Sequence, residues 1–250
     1  RTLIHDALER VEIAMRNALV EELGHLSPEA MYHPDTFSTS REKYYEVLFT
    51  VQNKVKRAYG RGRREGDISV QHNLNHYGPH LSIWVLVSIL DFSDLSKIYA
   101  LLDIQSQTRV AKMLGLDTTT IDLRTRQRGG ARRRGHPFES WLRQLTLVRN
   151  KCAHHGRLWN TEVIPASSAS LRGITGLETL PGEQSTRIYG VLLMLAKILE
   201  TVSPGSSWAS KVRLLVYEHE VRNPCIRYSS MGFPDGWATE SIWNPGGNQE

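Results

Sequence analysis

Apolar side chains recur every three or four residues through most of this 250-residue chain, and that spacing marks one face of an α-helix. The pattern is clearest from Leu3 to Leu23, and it stops at Gly24, a residue typical of helix ends. No segment alternates apolar and polar residues over the length of a strand, apart from short pieces near Ile164 and Ile226. The chain is therefore predicted to be all-α. Helices are predicted over residues 3–23, 41–59, 82–102 with a break near Asp94, 106–114, 182–202 and 207–216, and a further one begins near Pro137.

The length and composition suit a folded protein with its own core. With 250 residues and 40% hydrophobic side chains, the chain can bury a sizeable apolar surface. We expect one domain over residues 1–250, and two smaller domains are the alternative. No apolar run approaches the roughly 18 residues that a membrane span needs. Only Cys152 and Cys225 are present, far apart, which favours a location in the reducing cytoplasm over a disulfide scaffold. The first residue is not methionine and lies inside a helical pattern, so we expect a further N-terminal segment before Arg1.

One polar cluster directly follows an apolar helical stripe. Trp141, Leu142, Leu145 and Val148 recur at helical spacing, and the next residues, 149–160, read RNKCAHHGRLWN. A packed helix can hold such a cluster rigid. The cluster is therefore the first candidate for a functional site.

The spacing within the cluster brings its polar side chains near one another. Asn150 and His154 are four residues apart, so they lie one above the other on a single helix face. Arg149 and His154 are five residues apart, which is about 140° around an ideal helix. Either the long arginine stem swings round to the same pocket, or the helix loosens near Gly156. The sequence leaves both arrangements open.

These residue types suit cleavage of RNA without a metal. Histidine titrates near neutral pH and can take the proton of a ribose 2′-hydroxyl. Arginine binds a phosphate through two parallel donors and stabilises the charge that builds up when the hydroxyl attacks phosphorus. The amide of Asn150 can orient the imidazole or the ribose. The alternative is structural, because His154, His155 and Arg157 also suit the negative end of a helix and can cap its carbonyls.

Four ordered blocks of the sequence resemble one family. Arg149-Asn150-x-x-x-His154 fits the R-x4-6-H signature of the HEPN superfamily. The whole string RNKCAHHGRLWN resembles the core motif of its Abi-like proteins, the AbiD/AbiF abortive-infection group. Residues 82–99 resemble the family's P-I-W-x-x-x-E-x-x-x-F-x-x-L-S-x-x-Y segment. Residues 231–237 resemble its G-F-P-x-x-W close, and residues 8–16 resemble its opening helix.

The resemblance implies an all-α HEPN-type helical bundle, with additional helices and a basic Gly/Arg loop, that acts as a metal-independent endoribonuclease and toxin in abortive-infection phage defence. It implies that His154 transfers the proton, Arg149 clamps the phosphate and Asn150 orients, with His155 and Lys151 in support. No cofactor or metal is expected. Such ribonucleases generally place two motifs face to face across a homodimer. Some relatives are restrained by a small non-coding antitoxin RNA or by a partner protein.

Two positions depart from the family pattern. Ser88 stands where the family usually has a glutamate, and Ser82 replaces the usual proline before Ile83-Trp84. If that glutamate orients a site residue or braces the arginine, its loss affects activity. Two other functions therefore stay open. One is an RNA-binding module without catalysis, and the other is a helical protein-interaction or sensing component of a defence system.

Two short stretches hold twelve of the 31 basic residues. An arginine run broken by glycines cannot build a core, so the second stretch is predicted to be a loop. Its position just before the motif helix favours contact with RNA over a purely solvating role. We predict that Lys151, Arg157 and this stretch bind RNA. The first stretch consists of Lys54, Lys56, Arg57, Arg61, Arg63 and Arg64, and the second of Arg124, Arg126, Arg128, Arg132, Arg133 and Arg134.

Three histidines at four-residue spacing, His72, His76 and His80, invite comparison with a helical zinc site. The asparagines between them and the Gly78-Pro79 pair argue against a continuous helix, and no cysteine or carboxylate cluster accompanies them. Turn and cap roles are the simpler interpretation.

The tryptophans lie on apolar stripes, which favours core or interface positions over base-stacking platforms. This interpretation applies to Trp84, Trp141 and Trp159.

Overall fold

The computed structural model describes residues 1–60, 65–119, 135–223, 225 and 227–244, and this part of the chain is predominantly helical. The all-α prediction is confirmed. The only strands in the described residues, β1 (Ala166–Ser167) and β2 (Gln184–Ser185), pair antiparallel. The helices are α1 Thr2–Gly24, α2 Arg41–Tyr59, α3 Ile68–His76, α4 Ile83–Leu86, α5 Phe92–Tyr99, α6 Ile104–Met113, α7 Phe138–Ala153, α8 Ile188–Val202 and α9 Trp208–Arg222. Single turns of 3-10 helix cover Ala30–Tyr32, Pro34–Thr36, Val87–Ile89, Ala169–Gly173, Tyr228–Met231, Trp237–Thr239 and Ser241–Trp243.

The chain divides into two compact units. We call Ile13–Val110 the middle unit, and Arg1–Glu12 together with Ala111–Glu250 the terminal unit. The expectation of a single domain over 1–250 stays a prediction. Among the helices of the described residues, none combines the length and the apolar character that crossing a bilayer requires.

Helix α2 of the middle unit has the bounds that the sequence predicts. The Ser40 hydroxyl accepts a hydrogen bond from the Lys43 N–H at 3.3 Å, which caps the first turn. The helix ends before Gly60, whose φ of 76° suits a residue without a Cβ. Its buried face consists of Tyr44, Val47 and Val51.

The predicted third helix is two helices joined by a 3-10 turn. The break falls at Leu90 and Asp91, three residues before Asp94, near which the sequence predicted it. Asp91 caps α5 by accepting from the Asp94 N–H, and Asp94 accepts in return from the Asp91 N–H. Asp91 is therefore the N-cap, and Asp94 is its capping-box partner in the first turn of α5. This reciprocal pair stabilises the start of α5.

Helix α3 was not predicted from the sequence, but it ends before Gly78-Pro79, so the three spaced histidines do not share one continuous helix, as expected. Asp67 accepts a hydrogen bond from the Val70 N–H at 3.0 Å and caps it. The helix runs past Asn73, which is buried, and ends at His76 before Gly78. The cap and the buried face outweigh the low helix propensity of the asparagines.

The terminal unit is built on α8. Eleven of its fifteen residues are buried, so it lies inside the unit rather than on its surface. It begins at Ile188 instead of 182 because Gln184 and Ser185 belong to β2. Helix α9 continues to Arg222, six residues beyond the predicted end at 216.

The first turns of α1 belong to the terminal unit and are hydrogen-bonded to it. The Trp208 indole N–H donates to the Leu3 carbonyl at 2.6 Å. The Arg10 guanidinium donates to the Ser203 and Ser206 hydroxyls, both at 3.1 Å. These contacts fix the first turns of α1 in the terminal unit, which also contains α7.

Candidate functional site

A row of buried side chains holds α7 in place. These residues are at most 1% exposed, and burying each such side chain stabilises the fold by about 1.5–3 kcal/mol. The predicted apolar stripe ahead of the polar cluster is confirmed. The row consists of Phe138, Trp141, Leu142, Leu145 and Val148.

Two polar side chains on the buried face set the rotation of α7 about its axis. The Trp141 indole N–H donates to the Ser167 carbonyl at 2.8 Å. The Gln144 side-chain amide donates to the Ser185 carbonyl at 2.9 Å and to the Ile164 carbonyl at 2.5 Å. Both donors point at the short β segment, so the opposite face of α7 must point away from it.

The polar cluster closes the C-terminal end of α7. The helix ends at Ala153, and the His154 N–H still donates to the Asn150 carbonyl at 2.9 Å. The His155 N–H donates to the Cys152 carbonyl at 3.1 Å, and the Gly156 N–H donates to the Lys151 carbonyl at 2.8 Å. The last two of these hydrogen bonds together form a Schellman cap. The helix therefore stops within the motif, close to the loosening that the sequence suggested at Gly156.

The cap places a histidine where glycine is usual. His155 has a φ of 56°, in the left-handed region. A side chain with a Cβ costs roughly 1–2 kcal/mol there. A strained non-glycine residue at such a position is a pointer to function, and it sits inside the motif.

The motif side chains reach solvent. Asn150, His154, His155 and Arg157 are exposed, and the side chain of Arg149 is 36% exposed. The structure brings the four predicted catalytic residues, Arg149, Asn150, His154 and His155, to the C-terminal end of α7 and its cap. Lys151 is half-buried and packs closely against the Gly156 backbone. A Cβ added at Gly156 would lie 2.6 Å from the Lys151 Cγ.

A buried carboxylate on α1 faces the motif arginine. Glu12 Oε2 lies 3.7 Å from Arg149 Nε, and Glu12 is only 8% exposed. The distance is that of an ion pair rather than of a direct hydrogen bond. Arg149 is not the only group with which Glu12 interacts. Sequence reasoning missed Glu12, although an acidic residue among the apolar positions Val11 and Met15 of α1 was a visible signal.

One cavity in the terminal unit lies at the other end of α7. It has a volume of about 390 Å³ and is lined in part by Glu139, Ser140 and Arg143 of α7 and by Gln184 of β2. The motif residues do not line it.

A buried histidine precedes α7. His136 Nε2 lies 2.8 Å from the Thr118 hydroxyl, and its Nδ1 accepts from the Phe138 N–H at 3.2 Å. Because Nδ1 accepts, the ring is neutral and Nε2 carries the proton. Burial lowers the pKa of His136 to about 4. This histidine supports the start of the helix, far along the axis from the motif.

Much of the predicted RNA-binding surface lies outside the described residues. This applies to Arg61, Arg63 and Arg64 of the first basic stretch and to Arg124, Arg126, Arg128, Arg132, Arg133 and Arg134 of the second. Lys56 and Arg57 are exposed, as expected for phosphate-binding groups. Lys54 differs, because it pairs with Asp91 at 2.6 Å and with Asp94 at 3.3 Å in the middle unit. Lys54 is a structural cation.

The tryptophan interpretation is confirmed for one residue of three. Trp141 is fully buried, whereas Trp84 is 51% exposed and Trp159 is 38% exposed. The Trp159 ring packs edge-on against the buried Tyr228 at 5.2 Å, at the margin of the core. An apolar stripe in the sequence does not indicate whether an aromatic ring on it lies inside the core or at the margin of the core.

The histidines of α3 contact each other, whereas His80 in the following turn contacts residues far away in the sequence. The rings of His72 and His76 are 4.5 Å apart on one helix face, and His80 pairs with Glu29 at 2.8 Å and stacks on Tyr32. In the described ranges, no group of three or more His, Cys, Asp or Glu side chains is placed to hold a metal ion.

The two departures from the family pattern lie in the middle unit. Ser88 is exposed and its hydroxyl donates to the Val85 carbonyl at 2.7 Å. Ser82 precedes α4 without a side-chain capping bond.

A family model described as Abi-like protein matches residues 1–160, which is more than half of the chain and ends with the polar cluster at Asn160. The chain belongs to the Abi-like protein family. Membership associates this Abi-like protein with abortive infection, a defence against phage. The resemblance at residues 231–237 lies outside the matched region and stays a prediction. No curated protein and no solved structure matches the Abi-like chain significantly.

Proposed function

We propose that this Abi-like protein is a HEPN-type endoribonuclease that cleaves RNA at the C-terminal end of α7 without a metal. The observation that supports this most directly is the arrangement of one helix. Its buried face is fixed by packing, while a guanidinium and two imidazoles at its end reach solvent. A rigid helix end with exposed reactive groups is what an extended polymer substrate requires.

In the proposed reaction His154 takes the proton of a ribose 2′-hydroxyl. The 2′-oxygen attacks the adjacent phosphorus, and the bond from phosphorus to the 5′-oxygen breaks. The products are a 2′,3′-cyclic phosphate and a 5′-hydroxyl, whose proton comes from an imidazolium. Arg149 stabilises the charge on the phosphate, and Asn150 orients the reacting groups. His155 and Lys151 support them.

A homodimer would complete this site. One imidazole cannot hold and release the two protons at once, whereas two facing motifs supply a base and an acid. Leu147 lies one turn before Lys151 on the solvent face of α7 and is 47% exposed. A second copy would cover this leucine. Leu147→Asp is expected to convert a dimer to a monomer in sedimentation velocity, and Leu147→Ala is the matched control that keeps the face apolar.

The proposal includes RNA contacts beyond the motif. Arg157 is exposed next to the site, and the six arginines from Arg124 to Arg134 precede α7 in the sequence. Their attraction for phosphates is expected to weaken as the salt concentration rises. We further propose that the protein acts in the cytoplasm as a toxin and that a small non-coding RNA or a partner protein restrains it.

A second candidate is an RNA-binding module without catalysis, which the serine at position 88 favours because its short hydroxyl bonds locally to Val85. A third is an interaction or sensing scaffold.

One experiment separates the three. Purified protein is incubated with end-labelled single-stranded RNA in EDTA, and both binding and product ends are measured. Cleavage that leaves 2′,3′-cyclic phosphate ends and is lost in Arg149→Ala supports the nuclease. Binding without cleavage contradicts it and supports the module, and no interaction in low salt leaves the scaffold.

A further inference from the structure

We infer that Glu12 is a positioning residue for Arg149. On this account its carboxylate holds the Nε side of the guanidinium, so that the terminal nitrogens face the scissile phosphate. The inference rests on the proposed nuclease function, and it adds to the motif a residue from a different helix. The residues that carry it are Glu12 of α1 and Arg149 of α7, both in the terminal unit.

Glu12 is a buried carboxylate, and such a group needs compensating partners. Its residue exposure is 8%, on the inward side of α1 together with the fully buried Leu8, Val11 and Met15. A carboxylate at such a position costs free energy unless cations or donors compensate it. An apolar side chain there would bury as much surface without this cost. Arg149 is one cation within ion-pair distance of the carboxylate, which also interacts with another group.

The geometry of the guanidinium assigns a role to each of its sides. The carboxylate lies 3.7 Å from Nε, the nitrogen nearest the stem. The two terminal nitrogens have no hydrogen bond to another described residue, and the side chain is 36% exposed. Arginine presents its donors in a planar fork, so one side can be held while another binds a phosphate.

The contact also bears on the angular gap in the motif. Arg149 and His154 point in directions about 140° apart on an ideal helix. A free arginine stem samples many rotamers, and this freedom must be lost before the guanidinium can stabilise the charge that builds up in the transition state. A fixed carboxylate on a neighbouring helix restricts the stem before the substrate arrives. Such preorganisation lowers the activation free energy of RNA cleavage.

The test compares Glu12→Gln with Glu9→Gln in the full chain. Glutamine keeps the size of the side chain and removes its charge. Glu9 lies on the same helix, 65% exposed, and pairs with His5. Single-turnover cleavage of the labelled RNA is expected to slow about tenfold in E12Q, the size of effect that coupled pairs show. The affinity for a 2′-O-methyl RNA that cannot be cleaved changes little, and E9Q behaves like wild type in both assays.

A second measurement does not depend on cleavage. The Nε–H signal of Arg149 is identified in nitrogen-15 spectra by its loss in Arg149→Lys. Its exchange with water is expected to be severalfold faster in E12Q than in wild type or E9Q, because without the ion pair the stem moves more freely and Nε–H meets water more often.

The outcomes separate this inference from the proposed function. If wild type cleaves and E12Q cleaves equally fast, the inference is wrong and the nuclease stands. If wild type does not cleave, the nuclease is wrong, and the exchange rate still decides whether Glu12 holds Arg149. Slower cleavage with unchanged exchange also overturns the inference, because Glu12 then acts through other contacts.

Discussion

The two ends of α7 differ in what their polar groups contact. At the N-terminal end His136 is 1% exposed, and Thr118 and the Phe138 N–H are its partners inside the protein. At the C-terminal end His154 and His155 are exposed, and only their backbone groups are used, in the helix cap. The same residue type is structural at one end and available for chemistry at the other.

This difference shows how one helix can combine a scaffold and a site. The buried residues from Phe138 to Val148 fix the helix, so that the exposed end is presented in one orientation. A substitution in the buried row should therefore affect stability. One at the exposed end should affect activity and leave stability almost unchanged. The predictions below test that division.

The largest loss of stability is expected at Trp141. Trp141→Ala removes a fully buried ring and its hydrogen bond to Ser167, and it should lower the free energy of unfolding by about 3–5 kcal/mol. Trp84→Ala is the matched control, because that ring is 51% exposed, and it should cost less than about 1 kcal/mol. Denaturant titration measures both. Equal losses would contradict the assignment of Trp141 to the scaffold.

The largest loss of activity is expected at His154. His154→Ala removes the proposed proton-transfer group and should slow RNA cleavage about 10²–10⁴-fold, with a melting temperature close to that of wild type. His219→Ala alters an exposed histidine of α9 and should have no effect on either quantity. A lower melting temperature in H154A would place this histidine in the scaffold instead.

The pH dependence of stability tests the N-terminal end. The pKa of His136 is about 4 in the folded protein and near 6.5 when unfolded. Between these values the unfolded chain binds more protons, so stability falls as the pH drops from about 6.5 to 4, by up to roughly 3 kcal/mol. Above pH 6.5 the contribution is complete. Protonation would also place a hydrogen on Nδ1, which accepts from Phe138.

His136→Asn is the variant that isolates this effect. Its side-chain oxygen can still accept from the Phe138 N–H, but it does not titrate. Denaturant titrations at pH 4.5 and 7 should differ less for this variant than for wild type. An unchanged difference would assign the acid sensitivity to other groups.

The smallest effect is expected at His155. His155→Gly relieves the strain of a φ of 56° but adds freedom to the unfolded chain, so a net gain of about 0.5–1 kcal/mol in unfolding free energy is expected. Gly205→Ala makes the reverse change at a φ of 75° with no neighbouring atoms, and it should destabilise by a similar amount. If H155G is also slower in cleavage, the strained histidine serves the reaction.

The predicted bounds of α2 and the predicted start of α7 agree with the structure because local effects determine both. Ser40, Gly60 and Pro137 act on the backbone beside them, and such effects do not depend on the rest of the fold. Helix α3 was missed because the Asp67 cap and a buried face override asparagine propensity.

The candidate site divides in the same way. The motif residues are close in sequence, so their meeting on one helix end could be predicted. Glu12 lies on a different helix, and only tertiary packing brings it to Arg149. The same holds for Lys54, whose carboxylate partners come from α5 and its cap. The ion-pair partner of a charged residue can be identified only when the positions of both helices are known.

The central claim is that the exposed end of α7 cleaves RNA through the 2′-hydroxyl. The most direct measurement uses an RNA in which one cleaved linkage carries a single 2′-deoxy substitution, incubated with wild-type protein. We expect cleavage to stop at that linkage alone and to continue at unmodified ones. Cleavage that continues at the deoxy linkage would contradict the account.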